Sequence, residues 1–294
     1  MFLTDRPGIT IVDGGLSTQL ELMGYDISGS LWTGRALLEQ PDAIESAHRA
    51  FVEAGADVLI TASYQVSRQG FIEAGLTAAA ADRCLLRSIE IARAACAPST
   101  IVAASVGPYG AISHDGGEYR GNYGLSAVQL RDFHRPRIEI LASGSPDLLA
   151  IETIPDVREL EVIAEILEDF PHLPAWITFT AADGAHTCAG QPMEAAIEIA
   201  DGIASVQLVG INCTAPQFLP QLLGRISATT AKAVIAYPNA GGVWSAQQES
   251  WQQVPAASVA AAAATWVDLG ATWVGGCCGT DAAAISAIRA EVTG

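Results

Sequence analysis

Leu148-Leu149-Ala150-Ile151-Glu152 is an unbroken apolar run closed by a single carboxylate. A strand with one wet face alternates apolar and polar residues, whereas a continuous run suits a parallel sheet covered on both faces. The same form recurs in Ile9-Thr10-Ile11-Val12 before Asp13, Val58-Leu59-Ile60 before Thr61, and Ile101-Val102-Ala103-Ala104 before Ser105. It returns in Ala175-Trp176-Ile177-Thr178-Phe179 before Thr180, Leu208-Val209-Gly210-Ile211 before Asn212, Ala233-Val234-Ile235-Ala236 before Tyr237, and Thr272-Trp273-Val274 before Gly275. Helical patterns lie between these runs. Pro41 opens one that puts Ile44, Ala47, Phe51 and Val52 near one face; Asp156 to Asp169 and Pro255 to Leu269 carry others. Eight strands alternating with helices predict an α/β fold, a single (β/α)8 TIM barrel over residues 1–294. The alternative is a doubly wound open sheet, but the first turn, Asp13-Gly14-Gly15-Leu16-Ser17, lacks the Gly-x-Gly-x-x-Gly spacing that sheet often carries there.

One stretch breaks the rhythm. From Gly107 to Arg137 the chain passes Pro108, Tyr109, Gly110, His114, Asp115, Gly116, Gly117, Tyr119 and Tyr123 before the next obvious helix. A loop of that length in a compact domain is usually functional, and after a third strand it would lie over the barrel mouth.

Formal net charge is −17 with only 15 Lys and Arg, which argues against a nucleic-acid partner, since affinity for phosphate backbones depends on clustered cations. No run of about 18 apolar residues predicts a membrane span, and Met1-Phe2-Leu3-Thr4-Asp5-Arg6-Pro7 lacks the basic-then-apolar form of a leader. A soluble, cytoplasmic chain with no obligate protein partner is expected. Six cysteines in 294 residues are too sparse for a secreted disulfide scaffold. Cys84 and Cys96 read as small buried helix residues in the run Ala78 to Ala97, and Cys188, beside His186, as a loop thiol.

The other three cysteines end strands: Cys213 in Gly210-Ile211-Asn212-Cys213-Thr214, and Cys277 with Cys278 in Gly275-Gly276-Cys277-Cys278-Gly279-Thr280. Reacting residues of barrels sit at the carboxyl ends of strands, and that ring here carries Asp13, Ser63, Glu152, Asn212, Cys213, Asn239, Cys277 and Cys278. Thiolates select zinc among common divalent ions, and three ligands with a fourth position open mark a catalytic site. The alternative for an adjacent pair is a vicinal disulfide or inert thiols. Asp13 and Glu152 are read either as an ammonium clamp or as acceptors of backbone hydrogen bonds, because a buried carboxylate without a cation is costly. Amides of the Gly15-Leu16-Ser17 turn, leading into a helix, could hold a substrate carboxylate.

Asp13-Gly14-Gly15, Thr61-Ala62-Ser63-Tyr64-Gln65, Ser105-Val106-Gly107-Pro108-Tyr109-Gly110, Glu152-Thr153, Gly210-Ile211-Asn212-Cys213, Tyr237-Pro238-Asn239 and Gly275-Gly276-Cys277-Cys278 together resemble the homocysteine S-methyltransferases over nearly the whole chain. Ser30-Leu31-Trp32, Glu118-Tyr119-Arg120-Gly121-Asn122-Tyr123 and His134-Arg135-Pro136-Arg137 resemble the cobalamin-independent branch that uses S-methylmethionine, and S-adenosylmethionine less efficiently. The resemblance implies zinc (Zn2+) on Cys213, Cys277 and Cys278, homocysteine sulfur in the open position, and the homocysteine amino group held by Glu152 and Asp13, with Ser63 and Asn212 nearby. It also places Asn239 where cobalamin-using relatives present an asparagine to the metal in the absence of substrate. Gly279 departs from the branch, whose members often carry arginine there, while betaine- and folate-linked relatives carry glycine.

A free thiol with pKa near 8.5 is only a few per cent thiolate at pH 7, so coordination that removes the proton creates the nucleophile. A sulfonium donor leaves as a neutral thioether, and positioning is what remains for the protein. Trp32, Tyr109, Tyr119, Tyr123 and Trp244 are candidate aromatic walls for a cation, with Glu118 nearby. The expected reaction gives methionine. Competing readings are betaine as donor, selenohomocysteine as acceptor, a zinc hydrolase, and a non-catalytic zinc protein that senses oxidation.

Overall fold

The computed structural model describes residues 8–27, 31–113, 115–241, 244–245, 250–251 and 255–294. Met1 to Pro7, Ser30, His114 and the side chain of Trp244 lie outside the described residues. The eight predicted strands form one parallel sheet: Thr10–Ile11, Val58–Ile60, Ile101–Val106, Leu148–Ile154, Ala175–Phe179, Val206–Asn212, Ala233–Tyr237 and Ala271–Val274. Each pairs with the next in sequence from the second strand to the eighth, and the eighth pairs with the first. A bridge between Val12 and Val58 joins the first strand to the second and closes the ring. This is the (β/α)8 barrel that the continuous apolar runs predict. Trp244–Ser245 and Ser250–Trp251 add a small antiparallel ribbon after the seventh strand.

Period two along each strand separates two cores. Leu148 and Ala150 point inward and Leu149 and Ile151 outward; on the fifth strand Trp176 points in while Ala175 and Ile177 point out. The inner cluster, which also holds Val12, Val58, Ile101, Ala103, Leu208, Ile235, Tyr237 and Trp273, fills the axis of the barrel. Trp176 meets both Tyr237 and Trp273 edge-on, with ring centroids 6.0 Å apart in each case. The outer cluster packs the strands against the helices, among them Pro41–Glu53, Ala78–Ala95, Val157–Leu167 and Ala256–Asp268. Two acidic residues at strand starts fix the register from below. Asp57 accepts from Ile11 N (2.9 Å) and pairs with Arg289, while Asp147 accepts from Val102 N (2.7 Å) and pairs with Arg93.

The segment Gly107 to Arg137 departs from the expected long loop. A helix begins at Ala127 and runs to Ser143, opened by a capping box in which Ser126 and Gln129 satisfy each other's backbone amides. His134, Arg135, Pro136 and Arg137 therefore belong to a helix, with Pro136 inside it. Proline usually breaks a helix, which is why this stretch reads as loop, but Leu130, Phe133, Ile138 and Leu141 bury one face and hold it together. The mouth loop is thus shorter, spanning 107 to 126 with 3-10 turns at Tyr109–Ile112 and Gly117–Tyr119. Among the described residues no helix is long and apolar enough to cross a membrane.

His48, fully buried on the helix Pro41–Glu53, has neither ring nitrogen paired among the described residues, and burial lowers its pKa to about 4. The unfolded chain takes up this proton near 6.5 and the folded one does not, so stability falls as pH drops from about 6.5 through 4. The loss should reach roughly 3 kcal/mol. Urea unfolding of wild type and His48→Leu across that range should show a flatter pH dependence in the variant.

Candidate metal and substrate site

Strand parity decides which side chains crown the inner core. Continuing inward from Leu148 and Ala150 comes Glu152; from Ile101 and Ala103 comes Ser105; from Ile235 comes Tyr237. These three meet. Ser105 Oγ donates to Glu152 Oε1, and Tyr237 Oη donates to Oε2 at 3.2 Å. Tyr237 in turn accepts from Trp176 Nε1 at 3.1 Å, so a polar chain runs from the tryptophan filling of the barrel to the carboxylate at its mouth. Ser63, a predicted substrate contact, is buried one layer back: its hydroxyl donates to Ser105 O at 2.7 Å and lies 2.7 Å from Thr61 Oγ1.

Both mouth carboxylates are buried. Asp13 Oδ2 accepts from Ile60 N at 2.9 Å while Oδ1 has no partner among the described residues. Burial pushes Asp13 well above the usual carboxylate range, and the nearby Glu152 adds to this; burial pushes Glu152 to about 7 against the hydrogen bonds from Ser105 and Tyr237. No Arg or Lys is among the bonded partners of either group in the described residues. Asn212 is engaged by the protein itself. Its Oδ1 accepts from Thr153 N and Thr178 Oγ1, each at 2.8 Å, and its Nδ2 donates to Thr153 Oγ1 at 2.8 Å. That grip holds Thr153 at φ +62, a left-handed conformation costly for a β-branched residue, directly after Glu152.

Cys213 also leaves its strand in a left-handed conformation, φ +48, while its amide donates to Tyr237 O at 3.3 Å. The turn carries its sulfur toward the end of the eighth strand. There Cys277 N donates to Pro238 O (2.8 Å) and Ala240 N to Cys278 O (2.9 Å), tying the Cys-Cys turn to the end of the seventh strand. Glycines permit the approach: a Cβ on Gly15 would lie 2.5 Å from Cys277 O, and one on Gly275 would lie 2.6 Å from Val12 O. Cys213 Sγ lies 3.1 Å from Cys277 Sγ and 3.6 Å from Cys278 Sγ, and the three sulfurs all lie within 4.8 Å of one another. Tetrahedral zinc with bonds of about 2.3 Å spaces its sulfurs by roughly 3.8 Å. Hydrogen bonds from Cys213 and Cys277 hold Cys278 well below the usual thiol range, while the bonds to Cys213 and Cys278 push Cys277 up. A divalent soft metal is the partner that lets all three ionise. Asn239 Oδ1, buried and unpartnered among the described residues, follows the seventh strand in the segment bonded to the Cys-Cys turn.

The predicted aromatic walls divide. Tyr119 Oη lies 3.1 Å from Cys213 Sγ, and Glu118 is a half-buried carboxylate raised by burial and by the charge of Cys278. Tyr109 and Tyr123 instead pack on each other (5.3 Å), and Tyr109 packs on Phe133 (5.0 Å), with Gln69 Nε2 donating to Tyr109 Oη. Tyr109, Phe133 and Arg137 line a separate cavity of about 290 Å³ that includes none of the thiols. Trp32, at φ +41 before the helix Thr33–Glu39, is 41 % exposed. Gly15 N is used by Thr280, and the helix Leu16–Leu22, which includes Ser17, starts without a side-chain cap. Sequence reasoning missed Ser105 and Tyr237 as site residues, although parity along their strands marks both. Two further groups feel the charge of the thiols: the phenol of Tyr64 is pushed up by burial and then by Cys213, and Glu21 is raised by burial and then by Cys278.

The family profile described as homocysteine S-methyltransferase matches residues 10–292. The chain belongs to the homocysteine S-methyltransferase family. Homocysteine S-methyltransferase 1 of Zea mays is 38 % identical over 98 % of this chain and 95 % of its own length. Homocysteine S-methyltransferase YbgG of Bacillus subtilis is 39 % identical over 98 % and 96 %. Two crystal structures of the Escherichia coli homocysteine methyltransferase MmuM, an oxidised and a metallated form, are each 36 % identical over 98 % of both chains, with TM-scores of 0.90 and 0.89. The homocysteine S-methyltransferase barrel of this chain is therefore that of a methyltransferase enzyme. If the three thiols hold one metal, Cys213→Ser, Cys277→Ser and Cys278→Ser should each lower bound metal from about one equivalent toward zero. Elemental analysis of purified protein and variants checks this.

Proposed function

We propose that the protein transfers a methyl group from S-methylmethionine, and more slowly from S-adenosylmethionine, to the sulfur of L-homocysteine, giving methionine, with zinc held by Cys213, Cys277 and Cys278. The observation that carries this reading is the three-sulfur cluster set at the same barrel mouth as a buried carboxylate, Glu152, with no cation bonded to it among the described residues. Zinc bound there would supply a deprotonated, nucleophilic homocysteine sulfur at neutral pH. Asn239 is the candidate for the fourth position before homocysteine arrives.

Glu152 takes the homocysteine ammonium, and the pairing returns to the carboxylate the charge that burial suppresses. Ser105 and Tyr237 fix the carboxylate rotamer. Asp13, with one free oxygen, offers a second acceptor, and the uncapped start of the helix Leu16–Leu22 offers amides to the substrate carboxylate. With the acceptor fixed, its sulfur attacks the sulfonium methyl in line. One carbon–sulfur bond forms as the other breaks, and the donor leaves as a neutral thioether that needs no general acid. Glu118 and Tyr119 form the donor side: Tyr119 Oη lies 3.1 Å from Cys213 Sγ, and Glu118, the residue before it, is near enough for the charge of Cys278 to raise its pKa. Gly279 sits at φ +81, so it has a backbone reason to be glycine that is independent of the donor.

Glu152→Gln should weaken binding of the acceptor amino acid about ten- to a hundredfold, the worth of a charge-assisted hydrogen bond, with metal content unchanged. Methionine, whose thioether does not titrate, is the calorimetric probe. Its affinity for wild type should fall as pH drops through about 7, where Glu152 takes up its proton, and stay flat in the variant. Loss of metal together with affinity would assign Glu152 to the metal instead.

A donor panel with homocysteine should rank S-methylmethionine first and S-adenosylmethionine second, with betaine and methylcobalamin inactive. Betaine has the positive charge but no ammonium group, so a site built to pair one would be left with a buried charge. Turnover with betaine equal to that with S-methylmethionine would refute the donor assignment.

A further inference from the structure

A donor able to methylate homocysteine also faces the protein's own sulfurs, and turnover persists only if those sulfurs stay unmethylated. Cys213 has two sulfur neighbours and one oxygen neighbour, the phenol of Tyr119 at 3.1 Å. Burial does not explain that placement, because Tyr119 is 43 % exposed. The loop does. Gly110 and Gly117 pack so tightly that a Cβ on Gly110 would lie 2.3 Å from Glu118 N, and Gly116 at φ +73 sets the turn that follows. Arg120 pairs with Asp115 at 2.7 Å, and Asn122 N donates to Asp156 Oδ2 at 3.0 Å, fixing the far side. The turn thus sets a phenol beside one sulfur of the cluster, and once Cys213 is a metal-bound thiolate the phenol is the member of the pair with a proton to give.

On the methyl-transfer reading above, we propose that Tyr119 shields Cys213 from methylation by the donor. A hydrogen bond from the phenol ties up a lone pair on Cys213 Sγ and lowers its nucleophilicity. In the unwanted step, a Cys213 lone pair would form the new sulfur–methyl bond. The sulfonium's own bond would break with its electron pair on the departing thioether, and Cys213 would become a thioether too weak to hold the metal. No further reactant enters.

Tyr119→Phe removes one hydroxyl from a partly exposed ring, and circular dichroism with metal analysis verifies that fold and metal remain. Gly110→Ala, whose new Cβ would lie 2.3 Å from the backbone nitrogen of Glu118, displaces the turn without altering Tyr119 and serves as a second variant. Metal-loaded proteins are incubated without homocysteine, in one arm with S-methylmethionine and in another with iodomethane, which needs no donor site. Peptide mass spectrometry follows methyl incorporation at Cys213, with Cys96 beyond the helix Ala78–Ala95 as reference. Methylation of Cys213 should be about tenfold faster in both variants while Cys96 is unchanged, the rate equivalent of one lost hydrogen bond. Equal Cys213 rates with iodomethane overturn the shielding role, as does an increase confined to Cys277 or Cys278. Acceleration with iodomethane alone, with no methylation by S-methylmethionine in any protein, upholds the shielding and counts against the donor reading.

Discussion

Three sulfurs within 4.8 Å of one another repel as soon as a second one ionises, and the top of the barrel is arranged to force that meeting. Two strands contribute, the sixth and the eighth, with the seventh between them. Convergence therefore depends on the backbone rather than on long side chains. Cys213 turns out of its strand at φ +48, and the Cys277-Cys278 turn is bonded to Pro238 and Ala240. Glycines remove the β-carbons that would collide with Val12 and with the Cys277 carbonyl. The close approach of main chains on both sides makes the cluster a property of the closed ring, not of one loop.

The acidic half of the mouth depends on the same closure by another route. Glu152 is held by Ser105 and by Tyr237, and Tyr237 is held by Trp176 deep in the axis. Asn212, which sequence reasoning assigns to substrate, grips Thr153 and maintains a strained backbone next to that carboxylate. Its neighbour Cys213 carries the sulfur. One strand end thus supports both halves of the mouth, and disturbing Asn212 would shift acid and thiol together.

The barrel was legible because its signal is repeated: eight apolar runs ending in small or polar residues require only the rule for doubly covered strands. The thiols were legible because sulfur is scarce and its chemistry specific. What escaped were residues whose role depends on the third dimension. Ser105 and Tyr237 stand at recognisable strand ends, but pairing of the third and fourth strands brings Ser105 to Glu152, and only the closed barrel brings Tyr237 across to it. Tyr109, Tyr119 and Tyr123 look equivalent in sequence, yet Gly117–Tyr119 turns one toward Cys213 while Tyr109 packs on both Tyr123 and Phe133. Pro136 disguised a helix whose start Ser126 and Gln129 mark plainly, since a local breaker outweighs a cap until the buried face is counted.

The filling of the barrel axis sets how traffic must run. Trp176, Trp273 and Tyr237 fill the centre, so approach to the thiols along that axis comes from the mouth that bears them. Two substrates and two products share that doorway. On the proposed reaction, an acceptor whose sulfur lies nearest the cluster would enter ahead of the donor, and the spent donor would leave before the methylated acceptor. Compulsory order in the kinetics would then follow from three large side chains that fill the axis beneath the site.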